Sequence, residues 1–132
     1  MEREKNINIV KQLYADVAAK NFEGFFNSLT DDIKWEPPFV PEIPHTKLRT
    51  GKNEVKDWAM EMASEVTYSQ VTPQTIYADD DAVIVKGFFE GKANVTGKPF
   101  ASDWVHIWKF RDGRVCSYQA FWNTYNVANA MK

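Results

Sequence analysis

The stretch 99–123, PFASDWVHIWKFRDGRVCSYQAFWN, decides how this chain folds. Successive side chains of a strand leave opposite faces of its sheet. That period places Trp104, His106, Trp108 and Phe110 on one face, and Asp103, Val105, Ile107 and Lys109 on the other. Asp112-Gly113 then supplies two residues at ease with a positive φ, the signal of a tight hairpin. Residues 115–123 return as the next strand. The first face, aromatic with one histidine, suits a pocket wall. The second, with Val105 and Ile107, suits a sheet face hidden in a dimer.

Upstream, residues 67–78 and 82–95 read as two more strands, parted by Asp79-Asp80-Asp81, with Gly87 and Gly91 as bends. Gly97-Lys98 turns the chain into the 99–110 strand. Sequential strands joined by tight turns make an antiparallel meander. The first half of the chain is helical instead. Residues 4–20 carry Ile7, Val10, Tyr14, Val17 and Ala18 at helical spacing. Residues 22–29 form a short second helix, broken by Thr30-Asp31-Asp32, whose short polar side chains compete with the helix backbone. Residues 33–36 read as a short strand. A third helix opens near Thr50-Gly51-Lys52-Asn53, with Asn53 as N-cap, and turns Val55, Trp58, Ala59 and Met62 inward.

Between them, residues 37–44 hold four prolines and cannot donate a continuous ladder of hydrogen bonds. An ordered loop is expected there, with Phe39, Val40 and Ile43 folded over the interior as a lid and His45 exposed beyond it. Residues 124–132 form a short tail with helical character. Helices followed by strands predict an α+β fold rather than βαβ units. Three helices cover only one face of such a sheet, so the expected shape is a cone: a long bent sheet closed on its concave side.

The length of 132 residues is that of one ordinary domain with a core of its own, spanning 1–132. A net charge of -2, with acids and bases mixed, lacks the basic footprint of a nucleic-acid binder. No apolar run has the length of a membrane span, and the charged start has no signal-peptide pattern. Cys116 alone cannot form an internal disulfide, which fits a reducing, cytoplasmic setting, and its strand position predicts a buried inert thiol.

Four pieces in order carry a resemblance: an inward tyrosine on the first helix, "SLTDDIKWEPP", "RTGKNEVKDW", and "TGKPFASDWVHIWKFRDGRVCSYQAFWNT". Together they resemble the SnoaL-like polyketide cyclases and the ketosteroid-isomerase group of the nuclear-transport-factor-2-like (NTF2-like) superfamily, over nearly the whole chain. The resemblance implies a homodimer packed through the outer sheet face. It also implies a pocket for a small apolar molecule at the open end of the cone, and no metal or organic cofactor.

In the isomerases, the positions matching Tyr14 and His106 hold the substrate oxygen. The resemblance therefore implies two donors aimed at one oxygen, an oxyanion-hole arrangement. The other reading of both residues is a core tyrosine and a satisfied buried histidine. The isomerase base would be Glu36, yet alignment puts Pro37 at that position, and if Trp35 points inward then Glu36 turns outward. Trp35, Trp58, Trp104, Trp108, Phe110, Tyr118 and Trp122 are the expected ligand-binding aromatics. Asn123 stands where many SnoaL-like sequences have an aspartate. An amide cannot act as a general base, so Asn123 either orients a ligand or caps the strand end. His45 and His106 lie too far apart in sequence, without clustered acids, to give metal-ligand spacing. Two classes of function remain open. One is a cofactor-free proton-transfer enzyme of isomerase, cyclase or dehydratase type. The other is a non-catalytic module that binds a small ligand or a protein. A carboxylate facing His106 would separate them.

Overall fold

The computed structural model describes residues 2–132. Helices α1 (Glu2–Ala18) and α2 (Phe22–Asn27) lead into strand β1 (Leu29–Glu36). A proline-rich loop with one 3-10 turn (Pro44–Thr46) follows, then strand β2 (Arg49–Thr50) and helix α3 (Lys52–Glu65). The meander is β3 (Val66–Ala78), β4 (Ala82–Ala93), β5 (Pro99–Arg111) and β6 (Arg114–Trp122), and helix α4 (Thr124–Ala130) ends the chain. The six strands form one sheet in the order β2-β1-β6-β5-β4-β3. All neighbours run antiparallel except β1 and β6. The α+β cone expected from the sequence is the fold observed, with α4 as a fourth helix.

Register shifts lie between Tyr68 and Gln70, between Pro73 and Thr75, and between Lys109 and Phe110. Each such bulge bends and twists its strand, which curves the sheet. On the inner face, Val83, Val85, Ala120, Ile33 and Trp35 are each at most 1% exposed. They pack against Val10 and Leu13 of α1 and Val55 of α3 in one core. Outside, Ile84 lies opposite Ile107 and Val105 opposite Phe121, in neighbouring rows of the sheet. Ile84 remains 37% exposed and Phe121 48%, so this apolar face has no cover in the monomer.

Several local expectations are corrected. Thr30-Asp31-Asp32 does not precede the first strand but lies inside it, because β6 pairs with Leu29 before it and with Lys34 to Glu36 after it, and the irregularity is absorbed as a register shift between Leu29 and Lys34. The buried line of α1 is Asn6, Val10, Leu13 and Asp16, while Val17 is 47% exposed. Asp16 tolerates burial because the Gln12 and Asn21 amides donate to its carboxylate at 2.8 and 3.3 Å. The N-cap of α3 is Gly51, not Asn53, and Glu54 reaches back to the Thr50 N–H at 3.1 Å.

The proline loop is not a simple lid. Ile43 is fully buried, while Phe39 is 59% exposed. The buried Thr46 hydroxyl stitches the loop, accepting from the Val40 N–H at 2.8 Å and lying 2.6 Å from the Ile43 carbonyl. His45, expected outside, is buried: its backbone N–H and its Nδ1 both bond the Glu65 carboxylate, at 3.3 and 2.8 Å. Arg49 pairs with Glu61 one turn back along α3, so residues 44–49 are pinned to that helix. A carboxylate partner makes burial of a polar ring affordable.

Gly87 shows how tightly the inner face is filled. A Cβ there would lie 2.2 Å from Cζ2 of Trp104 and 2.5 Å from the Thr72 carbonyl oxygen. Backbone on one side and a fixed indole on the other leave no room to adjust. Gly87→Ala is therefore expected to lower stability by about 1–3 kcal/mol, the cost of overpacking a dense core. Gly97→Ala, with φ +72 but nothing within 4 Å of its Cβ, is the control. It carries only backbone strain, roughly 1 kcal/mol. Urea unfolding of both variants checks the order.

Candidate functional site: a tyrosine–histidine pair in an aromatic wall

Parity on β5 and its neighbours sets out the site. Trp104, His106 and Trp108 lie opposite Gly87, Val85 and Val83 on β4 and opposite Trp122, Ala120 and Tyr118 on β6. The small partners on either side of His106 leave space for flat rings to stack along the strand. The Trp104 indole lies over the imidazole, with ring centroids 4.0 Å apart and planes 21° apart. Tyr118 meets His106 edge-on at 5.1 Å. The parallel pairing of β1 with β6 brings Trp35 opposite Tyr118, where the two rings stack at 3.9 Å. Trp58 of α3 closes on Trp35 at 4.9 Å. Five of the seven expected aromatics, Trp35, Trp58, Trp104, Trp108 and Tyr118, are thus joined in one network through their own rings and that of His106. Phe110 shares the inner parity beyond a bulge, opposite Val115, and Trp122 packs edge-on against Phe89 at 5.9 Å.

Helix α1 delivers Tyr14 to the middle of this wall. Its hydroxyl lies 2.8 Å from Nδ1 of His106 and accepts a hydrogen bond from Nε1 of Trp108 at 3.1 Å. Burial holds His106 far below the usual imidazole range, down to about 3. Burial also raises the Tyr14 pKa, against a smaller opposing effect of the Trp108 hydrogen bond. Both groups are neutral at pH 7. Trp104 and Trp108 are buried, whereas Tyr14 and His106 each keep part of their surface accessible.

The carboxylates stand elsewhere. Glu36 pairs in register with Gln119, which lies opposite Ile107 on the outer face, so Glu36 is on the far side of the sheet from His106. Asp103 is likewise outside, with a side chain 74% exposed and 3.7 Å from Lys86. Asn123 sits beyond the end of β6, exposed, with its side-chain oxygen capping α4 through the Asn126 N–H at 3.1 Å. Its amide is a helix cap here, and the structure does not bring it to the wall. Among the described residues no three His, Cys, Asp or Glu side chains converge as a metal site. Two shallow surface grooves, one lined by Thr30, Asp32 and Arg111 and the other by Gly51, Lys52 and Lys56, are separate from the Tyr14–His106 pair.

Sequence reasoning placed Trp108 among the ligand-binding rings and missed its hydrogen bond to Tyr14. The signal was its parity, two residues from His106 on the same face.

A histidine kept neutral by its surroundings leaves a mark on stability. The unfolded chain takes up a proton near pH 6.5 and the folded chain only near pH 3, so between these values the unfolded state binds more protons. The His106 contribution is fully present above about pH 6.5 and is lost progressively as the pH falls toward 3. His106→Phe should flatten the acid limb of the stability curve by up to about 1.4 kcal/mol per pH unit within that window. Urea unfolding at steps from pH 4 to 7 measures it; parallel curves for the two proteins would refute the assignment.

Comparison with known proteins agrees with this fold. Residues 10–118 match the SnoaL-like domain family. YesE, an uncharacterised protein of Bacillus subtilis strain 168, is 25% identical over 131 residues, covering 98% of this chain and 88% of its own. The crystal structure of an NTF2-like protein from Burkholderia xenovorans LB400 superposes with a TM-score of 0.89 at 25% identity, covering 98% of each chain. A Bacillus subtilis structure named provisionally as an isomerase superposes with a TM-score of 0.81 at 26% identity, over 98% of this chain and 94% of that one. Since the family match takes in the second half of α1, the proline loop, α3 and the meander as far as Tyr118, the chain belongs to the SnoaL-like domain family and carries its NTF2-like fold.

Proposed function

We propose that this protein holds a small, ring-containing apolar molecule with a hydrogen-bond acceptor against the aromatic wall, beside Tyr14 and His106. The observation that carries the reading is the 2.8 Å bond between these two groups, the accessible polar pair of a wall otherwise built from indoles, a phenol and aliphatic side chains. Trp104 already stacks on His106 and Trp35 on Tyr118, so a flat ring would be gripped where Tyr14 and His106 remain accessible. One polar contact fixes orientation, as in most small-molecule sites. With Glu36 and Asp103 on the outer face, the wall supports gripping and polarising an oxygen better than abstracting a proton with a carboxylate. The isomerase name of the B. subtilis relative favours a second reading, cofactor-free proton transfer with His106 as the exchanging group.

Magnitude separates the two. A screen of steroids, polyketide fragments and cyclic ketones by quenching of tryptophan fluorescence supplies a ligand. If the site binds without turnover, Tyr14→Phe and His106→Ala each weaken affinity by about 0.5–1.5 kcal/mol. If it is an oxyanion-type catalytic site, loss of the His106 donor lowers the rate about a hundredfold or more. A panel in which nothing binds, or variants that leave the best ligand untouched, would overturn both.

The same proposal includes a two-fold dimer through the outer sheet face. Tyr77, Ile84, Val105, Ile107 and Phe121 form an apolar surface that a second copy would cover symmetrically. Light scattering at micromolar concentration is expected to give twice the 15.2 kDa chain mass. A monomer mass refutes it. A cytoplasmic setting suits the free Cys116 thiol, and among the described residues no helix is long and apolar enough to cross a membrane.

A further inference from the structure

We infer that Trp108 is a positioning residue that, through Tyr14, fixes His106 as the Nε2–H tautomer, so that the site reads its ligand as a hydrogen-bond acceptor. This rests on the proposed binding role of the wall and adds the polarity of the ligand to it.

The assignment follows from which atoms carry protons. Trp Nε1 donates only, and a tyrosine hydroxyl donates once and accepts. Trp108 Nε1–H points at the Tyr14 oxygen at 3.1 Å, and His106 Nδ1 lies 2.8 Å from the same oxygen. Suppose Nδ1 carried the imidazole proton. Trp108 and His106 would then both donate to Tyr14, and the hydroxyl proton would have no acceptor among the described residues. An unmade hydrogen bond in such surroundings costs more than a made one contributes. Suppose instead that Tyr14 donates to Nδ1. The indole N–H, the hydroxyl and Nδ1 are then all satisfied by a single chain, Trp108 to Tyr14 to His106. The imidazole is neutral at pH 7, so its one proton lies on Nε2. That atom has no hydrogen-bond partner among the described residues, and His106 keeps part of its surface accessible.

Trp108 matters because of the phenolic oxygen. A hydroxyl coplanar with its ring has one well-directed lone pair, and the indole N–H occupies it. His106 cannot then turn its own N–H toward Tyr14 without competing with Trp108. Remove the indole N–H and the second tautomer, with an acceptor nitrogen at Nε2, loses its competitor and is opposed only by the unmet hydroxyl proton. The wall offers N–H at its accessible atom and no carboxylate from Glu36 or Asp103. A ketone or other acceptor oxygen fits it, whereas a hydrocarbon of the same shape gains only the ring contacts.

The test reads the tautomer first, with no ligand present. In protein labelled with 15N-histidine at pH 7, His106 should show a pyridine-type Nδ1 and a pyrrole-type Nε2. In Trp108→Phe the two shifts should move toward each other, while those of His45 stay in place. Tyr14→Phe is the second variant, useful should Trp108→Phe fail to fold: it removes the acceptor of the indole, so the Trp108 Nε1–H resonance should shift upfield. A pyrrole-type Nδ1 in the unmodified protein, an unchanged His106 in folded Trp108→Phe, or an unmoved indole proton in Tyr14→Phe would each overturn the assignment.

Binding is read second, with 1-tetralone and its hydrocarbon tetralin as probes. Trp108→Phe should weaken tetralone binding about twofold to tenfold more than it weakens tetralin binding, the worth of one neutral hydrogen bond. Equal losses for both probes would make Trp108 a packing residue only. If neither probe nor any other ring compound binds the unmodified protein, the binding reading fails while the tautomer stands. A wrong tautomer with intact ketone binding does the reverse.

Discussion

One six-stranded sheet has two faces, and this chain has helices for only one of them. From that constraint the rest of the molecule follows. The inner face must be filled by side chains large enough to span the curvature, and β5 meets the need with two tryptophans and a histidine at every second position. Filling so dense dictates its neighbours: Gly87 and Ala120 are small because Trp104 and His106 are large. It also dictates what is left over. Ile84, Val105, Ile107 and Phe121 have nowhere to hide within the chain.

A polar pair in such surroundings has to be self-sufficient. A charged imidazole among stacked indoles would lose its hydration without gaining a counter-charge, so desolvation drives His106 to the neutral form. The same force keeps the Tyr14 hydroxyl protonated. Two neutral groups at 2.8 Å, with one indole N–H behind them, close a hydrogen-bond chain that needs no water within it. His45 meets the same problem differently: it is buried against Glu65, yet desolvation still outweighs the carboxylate and lowers its pKa. The two histidines are both kept below the usual range, one inside an aromatic wall and one in a pinned loop.

The sequence made local features legible and left long-range ones hidden. Alternation on β5, the Asp112-Gly113 hairpin and the order of helices and strands were readable, because a period or a turn dipeptide depends on near neighbours only. So was the approach of Tyr14 to His106, although only through resemblance, since nothing local links positions 92 residues apart. The start of β1 was not legible: Thr30-Asp31-Asp32 has a breaker's composition, and pairing with β6 on either side of it, at Leu29 and from Lys34, carries the strand through it. The burial of His45 depended on Glu65, twenty residues on, and could not be seen in the proline loop itself. The Trp108 donor bond needed the rotation of α1, which the stripe of Val17 and Ala18 misjudged.

The register of β1 ties the core to the chemistry. For Glu36 to reach the wall that holds His106, β1 would have to slip by one residue against β6. Because the side-chain period is two, that slip turns every inner residue of the strand outward. Ile33 and Trp35, at 0% and 1% exposure, would enter solvent, and the 3.9 Å stack of Trp35 on Tyr118 would be lost. Exposing two such side chains costs on the order of 3–6 kcal/mol from burial alone. The incoming carboxylate would face desolvation among indoles with no cation beside it. Both terms act in the same direction, so the packing that builds the aromatic wall also keeps a carboxylate at position 36 off it. Proton-transfer chemistry at this site would therefore have to run through His106 and the oxygen it touches.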